Sequence, residues 1–591
     1  MRAFKTLLED LSQNRWRIFI GLLALLVVDV LQLFIPRIIK FSIDDLTAGE
    51  VSPKRLLLYG IEIFILALGI GGFRYVWRYY LLGTARKIEK ALRDRLFLHL
   101  QTLSPSYFLR SKVGDLMAHA INDIEAVRMA LALGMVFLTD TLILGVFTLF
   151  FMIYIHPELT LYAILPMPFI TLITLFFSRF LHERFETLQK TFAQLTERIR
   201  ESISAIRVIR AYVQEEWEKR RLSHLSQDYL NKSLKVTQIW GLFFPILLFL
   251  SNLSMAIVLY IGGKFTILQK ISPGDLIAFM SYLGLLTWPM MALGWAINLI
   301  QRGKVSMDRV NRILMEKPEI TDLPGVLPLN SLQGRIEIKG LTFQIENHQP
   351  PLLDILHLEI QKGEKIVIVG RTGSGKTTLC RLLTRLLESP IGSIFYDGVE
   401  IHQIPLNVLR SSIGYVPQET FLFSDTLRDN ITLGRSEVTE EEIQEVIRIA
   451  QLEEEIRSFP EGLQTMLGEK GINLSGGQAQ RVAIARALLL KPEIFILDNA
   501  LSSVDLQTEE RILEGLERVL KGKTFILITH RVAPLKRADR IIVLEKGKVV
   551  EMGDHLSLLS MDGVYAKLYR EKEMEEELER ERNGKDGVGK R

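Results

Sequence analysis

The chain has 591 residues, 9% of them aromatic and 48% hydrophobic, which excludes an intrinsically disordered polymer. A single cysteine, Cys380, excludes a disulfide framework and a cysteine-based zinc site. The 72 Lys and Arg stand against 68 Asp and Glu, a formal charge of +4, too even to argue for nucleic acid as a partner.

The distribution of apolar residues says more. Charge-poor runs lie at Ile18–Pro36, Leu56–Phe73, Met129–Ile155, Leu159–Ser178, Val236–Gly263 and Leu276–Gln301. Each is near the ~20 residues a helix needs to cross ~30 Å of hydrocarbon. Buried soluble helices are shorter and amphipathic, so six membrane spans are expected. The first run ends in Phe34-Ile35-Pro36 without a small-residue cleavage site, unlike a signal peptide. Loops after spans one, three and five are short, His156-Pro157-Glu158 being the extreme. Loops near 74–128 and 179–235 are long and basic, and fall on the same side as Arg2, Lys5, Arg15 and Arg17. That side is expected to be the cytoplasm, with both termini inside a cell (inner or plasma) membrane. In Lys87–Leu103 and Phe185–Tyr212 apolar residues recur at helical spacing among dense charge. They read as helices running beyond the bilayer, with turns such as Ser104-Pro105-Ser106 as contact points at their far ends.

Asp29, Glu62 and Asp140 lie inside the first three spans. Charge within a membrane is expensive and marks function. Asp29 and Asp140 are therefore candidate substrate residues for amphipathic cations; hydrogen bonding between helices is the open alternative. Pro166, Pro168, Pro245 and Pro289 are expected to kink or loosen helices. Trp240, Phe243, Phe244, Trp288 and Trp295 either stack on a ligand or pack helices together.

Pro318, Pro324, Gly325 and Pro328 mark a boundary, and period-two patterning begins at Arg335-Ile336-Glu337-Ile338. The expected division is a transmembrane domain at 1–310, a linker at 311–334, a nucleotide-binding domain at 335–570 and a charged tail at 571–591. Lys365–Val369 reads as a short buried strand. Gly370-Arg371-Thr372-Gly373-Ser374-Gly375-Lys376-Thr377-Thr378 follows, then an apolar-periodic helix. This is the P-loop pattern in its strand–loop–helix context. Glycines let backbone N–H groups curl around phosphates, the helix N-terminus adds positive potential, Lys376 supplies a mobile charge, and Thr377 offers a hydroxyl to Mg²⁺. Ile494-Phe495-Ile496-Leu497-Asp498 is a second apolar strand ending in a carboxylate, which P-loop enzymes place on Mg²⁺.

Leu474-Ser475-Gly476-Gly477-Gln478 resembles the signature motif of ABC transporter ATPase domains, at the family's spacing before the aspartate strand. Gln418 resembles the Q-loop glutamine, Ser502-Ser503-Val504-Asp505 the D-loop, Thr529-His530 the switch histidine, and Gly468-Glu469-Lys470-Gly471 the exporter-type X-loop. The whole chain to about residue 570 resembles a half-transporter of the ABC exporter family. The resemblance implies an α-helical six-span domain joined to an α/β P-loop ATPase domain, with ATP and Mg²⁺ as cofactors. It places Mg²⁺ at Thr377, Gln418 and Asp498, and catalysis at Asp498, residue 499, His530 and Gln418. It implies a dimer in which each ATP lies between one chain's P-loop and the other's signature. Short helices near Ser104–Arg110 and Ala205–Glu215 would dock on ATPase domains.

Three residues depart from the family pattern. The position after the Mg²⁺ aspartate, normally a general-base glutamate, is Asn499. A carboxamide positions water but takes no proton at neutral pH, and general bases contribute ~10²–10⁴-fold, so roughly 3–5 kcal/mol of barrier is at stake. The position of the aromatic platform for adenine is Ile345, with Phe343 as the open alternative, and stacking is worth ~1–3 kcal/mol in nucleic-acid sites. Ala479 replaces a basic residue after the signature glutamine. Together these read as a chain whose own site binds ATP but hydrolyses it slowly. Its intact signature would then complete a competent site on a non-identical partner that carries the glutamate. The expected function is ATP-driven export of amphipathic drug-like compounds or lipids. A lipid flippase, or a regulatory or channel-like ATP-binding subunit, is the alternative.

Overall fold

The computed structural model describes residues 2–49, 52–344, 351–435, 437–468, 474–529 and 531–575. They form two compact units, one of Met1–Thr102 with Ser111–Glu316, the other of Leu103–Arg110 with Lys317–Arg591.

The first unit is helical: α1 (Arg15–Ala48), α2 (Pro53–Thr102), α3 (Val113–Ile155), α4 (Met167–Ser204), α5 (Glu215–Ile267) and α6 (Pro273–Met315). Six helices among the described residues are long and apolar enough to cross a membrane. The fourth expected run is interrupted. A short helix Pro157–Ile164 stops before Pro166, and α4 starts at Met167. Pro166 and Pro168 bring no N–H to the ladder, so the helix ends and restarts there. Large apolar side chains such as Leu57, Phe64, Leu68, Phe150 and Tyr154 are exposed, the inverse of a soluble helix. The interior is built on α6, which packs against α1, α3, α4 and α5. Phe279 and Tyr282 are fully or almost fully buried there. The Tyr282 ring stacks 5.6 Å from Phe151, and its hydroxyl donates to the Leu33 carbonyl at 2.9 Å. Pro289 brings no N–H to the ladder of α6, and beside that interruption Thr141 Oγ1 of α3 donates to the Pro289 carbonyl at 3.1 Å.

Beyond the apolar stretches the helices turn polar and continue. α4 and α5 hold each other through an Arg198–Glu218 pair, with Ser202 Oγ donating to Glu218 at 2.5 Å. Between α3 and α6, Asp123 accepts from Ser306 Oγ at 2.7 Å and from Arg309 Nε at 2.8 Å.

The second unit is α/β. A four-stranded antiparallel sheet has the order β2-β1-β4-β5, from β1 (Ile336–Phe343), β2 (Leu353–Ile360), β4 (Ile394–Tyr396) and β5 (Val399–Glu400). A six-stranded sheet has the order β10-β9-β3-β8-β7-β6. Its strands are β3 (Lys365–Val369), β6 (Ile413–Val416), β7 (Ile494–Asp498), β8 (Thr524–Ile528), β9 (Arg540–Glu545) and β10 (Lys548–Gly553). Pairing is parallel from β9 through β6, and β10 closes the edge antiparallel. Parallel strands are covered on both faces, which is why β3, β7 and β8 are continuous apolar runs. Helices α7 (Lys376–Leu383), α8 (Gly476–Leu488) and α9 (Leu506–Val519) cover them. Cys380, fully buried on α7, serves as a small core residue.

Helix α6 continues to Met315, so the first residues of the expected linker are helical. The extended stretch beyond is anchored: Arg385 Nη2 donates to the Thr321 carbonyl at 3.1 Å and Asp322 accepts from the Leu406 N–H at 2.8 Å. The short helix Pro105–Arg110 belongs to this unit. Arg110 Nη2 lies 2.6 Å from Glu319, Ser106 bonds the same carboxylate, and Ser104 Oγ accepts from the Ile320 N–H at 3.1 Å. The other expected short helix is Ile206–Ala211.

Candidate functional site

The two loops with the strongest chemical signal leave the carboxyl ends of β3 and β7, which flank β8. Ligands of open α/β sheets bind at this edge. After β3 the chain turns back on itself. Gly370 has φ 155° and Gly375 φ 98°, both left-handed. A Cβ on Gly370 would lie 2.1 Å from the Leu544 carbonyl, and one on Gly375 would lie 2.6 Å from Leu353. Only glycine fits, and the resulting cradle leads into the N-terminus of α7. Lys376 is buried, with Nζ donating to the carbonyls of Gly370 at 2.8 Å and Arg371 at 2.9 Å and to Ser374 Oγ at 3.3 Å. Burial lowers its pKa, against the Asp498 charge that raises it.

Thr377 Oγ1 donates to Asp498 Oδ1 at 3.1 Å, so two of the three expected Mg²⁺ ligands are in contact. Tyr415 Oη on β6 donates to the other oxygen at 3.4 Å. Burial pushes the Asp498 carboxyl up, and the Thr377 and Tyr415 hydroxyls and nearby Arg381 and Lys376 offset only part of this. A hydroxyl and a carboxylate are the hard oxygen donors that Mg²⁺ takes, and the glycine cradle with its lysine suits nucleotide phosphates, so these residues fit Mg·ATP. Bound Mg²⁺ would neutralise phosphate charge during transfer. Gln418 follows β6, is exposed, and makes no hydrogen bond with Thr377 or Asp498. Thr378 is half-buried in the first turn of α7.

Asn499 sits at the end of β7 with φ 52°, its N–H donating to the Ile528 carbonyl at 3.0 Å. Asparagine tolerates this left-handed backbone better than most residues. It lines a cavity of about 560 Å³ with Gly370, Arg371, Thr372, Ser502 and Thr529. The far wall comes from the helical stretch 564–575: Leu568, Glu571, Lys572 and Glu575 line it, and Glu571 is 3.6 Å from Arg371. The charged tail thus starts beside the P-loop, a place that nothing in its sequence signalled.

Leu474–Gln478 lie apart from this cavity, at the start of α8. Ser475 caps that helix, accepting from the Gln478 N–H at 3.2 Å while its own N–H donates to Gln478 Oε1 at 2.9 Å. Gly476 is exposed, and Gly477 packs against the D-loop so tightly that a Cβ would lie 2.6 Å from the Ser503 carbonyl. Gln480, buried one turn on, donates to Ser502 Oγ at 3.2 Å and accepts from the Ser503 N–H at 3.0 Å. Neither Gln480 nor Tyr415 was predicted; each stood within two or three residues of a motif position, the one cue available. Ile345, His530 and residues 469–473 lie outside the described residues.

In the first unit Asp29 is fully buried, with Asp140 of α3 and Arg74 of α2 acting on it. The two aspartates are brought together, while Glu62 is exposed. Neither aspartate lines the aromatic cavity of about 470 Å³ enclosed by Phe137, Phe177, Trp240, Phe243, Trp295 and Arg302.

The family described as ABC transporter transmembrane region matches residues 18–290, and the family described as ABC transporter matches residues 353–502. The chain is 39% identical over 559 residues to the probable multidrug resistance ABC transporter ATP-binding/permease protein YheI of Bacillus subtilis, covering 94% of this chain and 95% of that one. It is 35% identical to the multidrug resistance-like ATP-binding protein MdlA of Escherichia coli, covering 96% of each. Among solved structures, a bacterial Atm1-family ABC exporter with ATP bound superposes with a TM-score of 0.79 at 26% identity, over 94% of this chain and 98% of that one.

Proposed function

Because the chain belongs to the ABC exporter family, an ATPase coupled to transport with both regions in one polypeptide, we propose that it exports amphipathic compounds, drug-like molecules or lipids, as one subunit of a heterodimer. In this reading its own ATP site is impaired, and a non-identical partner supplies the missing glutamate. The observation that carries it is the contrast around Asp498. The glycine cradle, Lys376 and the Thr377–Asp498 pair are built to hold Mg·ATP. The next residue, Asn499, lines the same cavity and has no group able to take a proton from water. Gln418 and His530 would complete the site when nucleotide is bound. Leu474–Gln478 would serve the partner's ATP, because they open a 13-residue helix whose exposed N-terminus suits phosphate. The ATPase region and both termini would face the cytoplasm.

The relatives named for multidrug resistance and the aromatic cavity of the first unit support amphipathic cargo. Asp29 and Asp140, paired between α1 and α3, would favour cationic members of that class. Equal transport of cationic compounds by an Asp140→Asn variant removes that role. The whole reading is tested by the mass of the intact complex purified from its native cell through a tag on this chain. One copy plus a second, related subunit carrying glutamate at the matching position supports it. Two identical subunits refute the heterodimer.

A further inference from the structure

A second groove runs between α4 and α5, about 340 Å³ in volume, lined by Phe176, Phe177, Phe180, Leu242, Arg184 and Lys235 among others. Its apolar wall is open to the surroundings: Phe176 is 67% exposed and Leu242 56%. In a membrane that wall meets acyl chains. Phe176 and Phe180 stack at 6.5 Å with planes 5° apart, and the Arg184 guanidinium lies over the Phe180 ring at 5.4 Å. The two cations sit at the depth where hydrocarbon ends. Lys235 immediately precedes the apolar run that begins at Val236, and Arg184 follows the run that ends at Ser178. Neither forms an ion pair with a described acid. Of the acids nearby, Glu186 pairs with Lys190 at 2.8 Å and Asp228 with Lys232 at 2.7 Å, while Glu183, directly before Arg184 in sequence, is exposed.

We propose that this groove binds an anionic phospholipid of the surrounding bilayer, its phosphate held between Arg184 and Lys235 and an acyl chain laid along Phe176, Phe180 and Leu242. Two interfacial cations that form no ion pair with a described acid attract a lipid phosphate, and basic pockets between spanning helices are suited to anionic headgroups. The largely apolar lining selects a lipid over a free anion. The site has a consequence for transport. Phe177 and Ile239 line this groove on one side and the aromatic cavity on the other, so a bound lipid backs the wall of that cavity.

The test uses the full-length chain in its native complex, in nanodiscs of phosphatidylcholine with or without phosphatidylglycerol. Retained lipid is counted by native mass spectrometry. Phosphatidylglycerol is expected to stay bound in preference to phosphatidylcholine. A double Arg184→Gln, Lys235→Gln variant is expected to hold it roughly 10- to 30-fold more weakly, from the contribution of each interfacial cation. An Arg184→Lys, Lys235→Arg variant keeps both charges and is expected to retain it. Equal retention of the two lipids by the unaltered complex overturns the proposal, and needs no variant. So does undiminished phosphatidylglycerol binding by the double Gln variant at the parental complex mass. Displacement of the lipid by inorganic phosphate alone, at millimolar concentration, assigns the cations to a free anion and also overturns it.

Discussion

An Asn499→Glu substitution puts a carboxylate one residue past Asp498, on the wall of the cavity that Gly370 and Thr372 share. If this position lacks only the base, the gain is the general-base contribution, ~10²–10⁴-fold in the rate of the chemical step. The backbone opposes part of it. Residue 499 has φ 52°, and a side chain other than Asn, Asp or Gly costs roughly 1–2 kcal/mol there. That cost is equivalent to about 5- to 30-fold if it falls on the catalytic geometry. The net expectation is a rise of ~10- to 10³-fold in hydrolysis of the ATP held by this chain. Steady-state turnover of the complex could be set by another step, so the assay is single-turnover phosphate release from pre-bound ATP in the purified complex. Nucleotide occlusion is measured alongside it. Asn499→Gln is the control, matching glutamate in length and strain without its basicity. Equal single-turnover rates for parent, Glu and Gln forms, all with ATP bound and occlusion unchanged, would refute the argument that the missing base limits this site.

Gly477→Ala places a methyl 2.6 Å from the Ser503 carbonyl. Overpacking at about 1–3 kcal/mol outweighs the ~1 kcal/mol that Ala gains over Gly in a helix, so thermal unfolding of the ATPase region should move down by a few degrees, and an unchanged or higher transition contradicts the packing. Asp498 has a folded pKa raised by burial, so the stability it lends on protonation is fully present below the unfolded carboxylate value of about 4 and is lost as pH rises through the raised folded value. Mg²⁺-dependent ATP binding runs the other way, failing as pH falls through that same raised value. Titrating both in parent and Asp498→Asn should remove the stability slope only in the variant. Arg110→Ala breaks an ion pair whose side chains are 71% and 49% exposed, so stability should change by less than about 1 kcal/mol. If the 104–110 helix transmits movement through the linker, transported substrate per ATP should drop while basal hydrolysis stays; unchanged stoichiometry removes that role.

Parts of this architecture were legible because their physics is local. The strands Lys365–Val369 and Ile494–Asp498 read as short apolar runs since parallel strands are covered on both faces. The P-loop was readable because its glycines answer to backbone geometry within nine residues. The membrane helices showed themselves by length, yet the fourth was drawn through Pro166, where an unbroken hydropathy run hid a break in hydrogen bonding. What escaped was set by tertiary neighbours. No pattern announces that Gln480 reaches the D-loop, that Tyr415 touches Asp498, or that 564–575 lies beside Arg371. The left-handed backbone at Asn499 was equally invisible, though it bears on why an amide is comfortable there. Asp29 and Asp140 stood out as acids within apolar runs, but their pairing across α1 and α3 needed the helices in place.

The clamp between Gln480 and Ser502–Ser503, with Gly477 pressed on the same backbone, leaves no slack between the start of α8 and the loop that follows Asp498 and Asn499. The two segments form one lever, with one arm beside the P-loop cradle and the other ending in an exposed helix tip. A displacement of one arm is therefore felt at the other through the Gln480 amide and the Gly477–Ser503 contact. Occupancy of the P-loop site can in this way be reported to whatever the helix tip touches.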